Sequence, residues 1–126
     1  ASLFGQLAHN DILFIDSSHA ASFGSDVCKL VLEIIPGLNA GVWVHVHDIF
    51  FPGDYPREWL LDKRLAFNEQ YLLEAFLNFN QKYVICAMNH WLALKHETLL
   101  EKLCPPATLL GTHPGNASFW MRRIDE

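Results

Sequence analysis

The sequence predicts an α/β fold, a mostly parallel sheet of about four strands with an antiparallel C-terminal strand, in one domain over residues 1–126. Three observations predict it. The apolar run Asp11 to Asp16, bounded by acids, reads as a parallel-sheet strand buried on both faces. Val27, Leu30, Val31, Ile34 and Ile35 then recur at the spacing of an amphipathic helix, which Pro36 and Gly37 end. Gly41 precedes a second, β-branched strand from Val42 to Asp48, completing a βαβ unit with a right-handed crossover.

The rest of the chain continues the alternation. Phe50 to Trp59 is an aromatic, proline-rich loop, long enough to cover something. Between Asn68 and Asn80, Leu72, Ala75, Phe76 and Phe79 stand at helical spacing, and Tyr83 to Met88 is the next strand. A weaker helix runs from about Trp91 to Leu103 and stops at Pro105 and Pro106. After the loop Gly111 to Asn116, Ser118 to Arg122 forms a last strand, close enough to pair antiparallel with its predecessor.

Composition excludes several classes. With 51 % hydrophobic and 18 % charged residues the chain packs a core and is not disordered. Its apolar runs fall short of the roughly 20 residues a membrane helix needs, and no signal pattern opens it, so the expectation is a soluble, cytoplasmic protein with no membrane partner. A net charge of -5, with basic pairs only at Lys63–Arg64 and Arg122–Arg123, argues against a nucleic-acid partner. Cys28, Cys86 and Cys104 form no Cys-x-x-Cys pair and read as buried free thiols.

In open α/β sheets, ligands bind beyond the carboxyl ends of the strands. Asp16, His19, His47 and Asp48 stand at or just past such ends, and neighbouring strands about 4.8 Å apart would let them converge on one cation or one substrate hydroxyl. An imidazole titrating near about 6.5 suits His19 to taking a hydroxyl proton. His45 and His47 share a strand face, but a His-x-His-x-Asp zinc motif needs Asp where Ile49 stands, so His45 reads as a locally satisfied core histidine. Tyr55, Arg57, Glu58, Trp59, Asn68 and Gln70 either line an acceptor pocket, with Arg57 meeting an anionic group, or pack as a lid. His90, His96 and His113 have no partners at ligand spacing.

Four blocks carry a resemblance: D-I-L-F-I-D-S-S-H (Asp11 to His19), G-V-W-V-H-V-H-D-I (Gly41 to Ile49), D-Y-P-R-E-W (Asp54 to Trp59) and N-E-Q-Y-L-L (Asn68 to Leu73). In this order they resemble class I S-adenosylmethionine-dependent methyltransferases, nearest to the small-molecule O-methyltransferase-like group. The resemblance implies a Rossmann-like three-layer fold, present here as its carboxy-terminal half, the fourth to seventh strands. The last strand would lie antiparallel between the fifth and sixth. The family's acidic-x-Gly-x-Gly cofactor loop is absent, since no two glycines here stand in Gly-x-Gly spacing.

The resemblance further implies transfer of a methyl group from S-adenosylmethionine to a small-molecule hydroxyl by the intact protein, with this piece inactive alone. His19 would be a catalytic histidine, and with Asp16, also catalytic, and Asp48 it would orient and deprotonate the acceptor oxygen. Asp16 and Asp48 would bind Mg²⁺, as in the metal-dependent members, with His47 where related sites carry an acid. The strand Asp11 to Asp16 would lose its neighbour, and an unpaired apolar edge favours a homo-oligomer that covers it. Two other readings stay open: a non-catalytic α/β interaction module, and a metal-dependent oxygenase or hydrolase on a related fold.

Overall fold

Residues 3–103 and 117–125 are described in the computed structural model. The expectations for Cys104, Pro105, Pro106, His113 and the loop Gly111 to Asn116 lie outside them. The chain enters through a short 3-10 turn, Leu3–Gln6, and then forms β1, Ile12–Ile15. Ser25 caps the following helix, its hydroxyl accepting the Cys28 N–H at 3.2 Å. This helix, α1 (Asp26–Lys29), widens into a π-helical stretch at Leu30–Ile34 and tightens into a 3-10 turn at Ile35–Gly37. The expected stop at Pro36 and Gly37 is where the backbone becomes extended.

Gly41 (φ 86°) then turns the chain into β2, Trp43–His47. A Cβ at position 41 would collide with the His9 ring, so the close approach requires glycine there. The aromatic segment after β2 contains a helix that the sequence pattern hid, α2 (Arg57–Leu61), starting after Pro56. It is followed by α3 (Glu69–Leu77), β3 (Tyr83–Met88), α4 (Asn89–Lys95), α5 (Glu97–Leu103) and β4 (Ser118–Arg123). The single helix expected from Trp91 to Leu103 is therefore two, broken at His96, whose backbone leaves the helical region.

The protein is a mixed α/β structure with a four-stranded open sheet in the order β1-β2-β4-β3. β1 pairs parallel with β2, from Ile12 opposite Trp43 to Ile15 opposite Val46. β4 runs antiparallel to both neighbours, β2 and β3, with a bulge between Ile85 and Ala87. The antiparallel pairing of the last strand with its predecessor is as the sequence indicated. β1 lies at the edge of the sheet.

Alternation along the strands divides the sheet into two unequal faces. Leu13, Ile15, Val44, Val46, Phe119 and Met121 point into the core, where Val27, Val31, Ile35 and Leu73 from the helices cover them. Ile12 and Phe14 project from the other face and are exposed, so β1 is buried on one face and not on both. An all-apolar strand shows no period, and its sequence cannot reveal which face lacks a cover. In α3 the buried residues are Glu69, Gln70 and Leu73, with Phe76 and Leu77 partly buried. Ala75 lies on the exposed side of the helix, and Phe79 is exposed because the helix ends at Leu77 and Phe79 adopts φ 61° beyond it.

Candidate functional site

Asp16 and Asp48 directly follow β1 and β2, and the parallel pairing of those strands brings both to one edge of the sheet. The backbone turns sharply there. His19 has φ 58° and Asp48 φ 54°, in the left-handed region that disfavours residues with a Cβ.

His19 is buried, and its two ring nitrogens face different surroundings. Nε2 lies 3.3 Å from Asp16 Oδ1 and 3.9 Å from Asp48 Oδ2. Nδ1 lies 3.3 Å from Glu69 Oε1. The ring rests against Phe67 with centroids 4.4 Å apart, and the His19 carbonyl accepts the Asn68 N–H at 2.9 Å. The segment leading into α3 thus grips the histidine from behind while the strand ends face it in front.

Glu69, the first residue of α3, is only 3 % exposed. It sits beside Ile15, Val27, Val46 and Leu73. Burial pushes its carboxyl pKa up, against hydrogen bonds from Ser17 and His19 that hold it down. Ser17 Oγ donates to Glu69 Oε2 and accepts the His19 backbone N–H at 2.9 Å. By contrast the side chains of Asp16 and Asp48 are 55 % and 23 % exposed, and neither pairs with a Lys or Arg of the described residues.

Among the described residues no group of three or more His, Cys, Asp or Glu side chains could hold a metal ion. His47, expected beside Asp16 and Asp48, has Nε2 3.8 Å from Asp48 Oδ1, but its ring belongs with Phe14 and His45 on the other face of the sheet. Strand alternation sends position 47 to the face of 45. The set Asp16, Asp48 and His47 therefore does not fit Mg²⁺.

His45 is buried as expected, yet among the described residues neither of its ring nitrogens has a hydrogen-bond partner. It is held by aromatic contact instead. Phe14 stacks on it at 4.4 Å and 5°, and Trp120 meets it edge-on at 4.6 Å. Burial, with His47 nearby, lowers its pKa. Of the thiols, Cys28 is half-buried and Cys86 exposed, both free, so the expected burial fails for Cys86.

The residues expected to line an acceptor pocket mostly fasten the loop. Gln70 Nε2 donates to the Gly53 carbonyl at 3.2 Å, and its backbone N–H donates to the Tyr55 hydroxyl at 3.1 Å. Asn68 Oδ1 accepts the Ala21 N–H. Trp59 packs edge-on against Phe50 and Phe67, and burial raises the Tyr55 pKa. Arg57 and Glu58 are exposed at the start of α2.

The site that the structure assembles is therefore Asp16, Ser17, His19, Asp48 and Glu69. It presents an imidazole nitrogen between two carboxylates at the carboxyl edge of the sheet, which is the equipment of proton transfer to or from a bound hydroxyl or amine. Sequence reasoning gave no role to Glu69 or Ser17. Glu69 stands between Asn68 and Gln70 at the start of a helix, so nothing in the local pattern marked it as buried. Among the described residues no helix is long and apolar enough to cross a membrane. Comparison with protein-family models, with curated proteins and with solved structures gives no match.

Proposed function

We propose that this chain is the acceptor-side half of an S-adenosylmethionine-dependent methyltransferase acting on a small-molecule hydroxyl, with His19 as general base. The observation that carries the proposal is the convergence of Asp16 and Asp48 on His19 Nε2 from two adjacent parallel strands. An interaction module has no need of carboxylates that meet around a buried histidine. The insertion of antiparallel β4 between β2 and β3 also supports the reading, since this is the order the sequence resemblance implies.

In this proposal Asp16 and Asp48 receive the acceptor by hydrogen bonds, and His19 Nε2 takes the hydroxyl proton as the oxygen is methylated. The donor supplies the methyl group. No residue of this chain is assigned to hold it, because the sequence carries no Gly-x-Gly loop. Positioning of the acceptor against the donor would supply much of the rate.

The test is calorimetric titration of S-adenosylmethionine into this chain and into a longer polypeptide that contains it. Cofactor binding by the longer form, with methyl transfer that drops about 10²–10⁴-fold in His19→Gln, is the expected result. Failure of both forms to bind the cofactor would overturn the proposal.

A further inference from the structure

The neutral His19 ring can carry its proton on Nδ1 or on Nε2, and the two forms have opposite chemistry. With the proton on Nε2 the nitrogen facing Asp16 and Asp48 is a donor and cannot take a proton. With the proton on Nδ1 it is a bare base. Carboxylates stand on both sides of the ring, Glu69 Oε1 at 3.3 Å from Nδ1 and Asp16 Oδ1 at 3.3 Å from Nε2, so distance alone does not choose.

Burial chooses. Asp16 is more than half exposed and Asp48 partly so, and water satisfies their oxygens whether or not the imidazole donates to them. Glu69 is enclosed among apolar side chains, where an oxygen left without a donor carries its full desolvation penalty. Its Oε2 receives the Ser17 hydroxyl, and among the described residues only His19 Nδ1 stands at Oε1. The Ser17 oxygen in turn accepts the His19 backbone N–H, so serine, glutamate and histidine close one ring of hydrogen bonds.

We propose that Glu69, set by Ser17, is a positioning residue that fixes the Nδ1–H tautomer of His19 and leaves Nε2 bare between Asp16 and Asp48. The tautomer assignment stands on geometry and burial alone. Its use in catalysis rests on the functional reading above. Phe67 packs against the ring and the Asn68 N–H holds the His19 carbonyl, so the segment leading into the helix that supplies the carboxylate also supplies the clamp.

The test needs neither methyl donor nor acceptor, so its failure is separable from failure of the functional reading. Two-bond proton–nitrogen NMR correlations of the ¹⁵N-labelled chain would be recorded under conditions where the spectrum shows a neutral ring. The expected result is a protonated Nδ1 and a bare Nε2, in excess over the other tautomer by about tenfold. Glu69→Gln keeps a carbonyl acceptor and should retain this pattern, while Glu69→Leu, which has none, should move the proton to Nε2. Asp16→Asn, on the exposed side, should leave the wild-type pattern unchanged and serves if Glu69→Leu fails to fold. An Nε2–H ring in the wild type, a Glu69→Leu variant that keeps Nδ1–H, or a tautomer that follows Asp16 would each overturn the proposal.

Discussion

Gln70 Oε1 accepts the backbone N–H of Phe50 at 3.1 Å, joining α3 to the residue that leaves the end of β2. Through its Nε2 the same side chain holds the Gly53 carbonyl, so one amide closes the turn beyond β2 from both sides. Replacing it removes a donor and an acceptor from partly or fully buried backbone groups. Gln70→Ala should cost about 1–3 kcal/mol in urea unfolding. A cost below about 0.5 kcal/mol would mean that water replaces the amide.

Phe119 and Phe79 test where the apolar driving force lies. Phe119 is fully buried at the centre of the covered sheet face, whereas Phe79 is fully exposed beyond α3. Phe119→Ala should lower stability by about 3–5 kcal/mol. Phe79→Ala should change it by no more than about 0.5 kcal/mol, as expected for a solvated surface position. Equal losses from the two variants would contradict the burial assigned to these rings.

Stability should also depend on pH through His45. Burial lowers its folded pKa from about 6.5, so below that pH the unfolded chain binds a proton that the folded chain resists. Stability contributed by this group is thus complete above about pH 6.5 and falls as the pH drops through the lower folded value. His90, also lowered by burial, adds a slope of the same sign. Glu69 acts in the opposite sense. Its raised pKa makes folding most favourable below the ordinary carboxyl range and less so as pH rises through the folded value. Denaturant midpoints across this range should show a shallower slope in His45→Phe than in the wild type. Parallel curves for the two proteins would refute the assignment.

Most of the alternation of strand and helix was legible in the sequence, where an element carried a clear apolar run, a helical spacing or a stop. β3 has the boundaries read from Tyr83 and Met88, and Pro36 with Gly37 ended the first helix as expected. The exposed face of β1 was not legible, since Ile12 and Phe14 look the same in sequence as the buried Leu13 and Ile15. α2 was missed because Tyr55, Pro56 and Trp59 suggest a loop, although proline just before a helix is compatible with its start.

The site was half legible. Strand-end logic found Asp16, His19 and Asp48, which lie close to each other in the chain's own order of strands. Glu69 joins them across 50 residues from His19, and it is the tertiary packing of α3, with Glu69 and Leu73 beside Ile15, Val27 and Val46, that makes that contact. His47 shows the converse. Its position one residue before Asp48 suggested a shared ligand set, and the two-residue period of the strand sent its ring elsewhere.

The left-handed backbone at His19 and Asp48 has a consequence for how this sequence can drift. Each position asks a residue with a Cβ to adopt a conformation that glycine takes without strain, and asparagine takes more readily than most. Aspartate also tolerates this conformation, so selection for folding alone would leave position 48 open to Gly and Asn as well as Asp, and the carboxylate could be lost without cost to the turn. A population of descendants that keeps aspartate there would be recording a demand other than stability, and the strained turn makes that demand readable from a single column of residues.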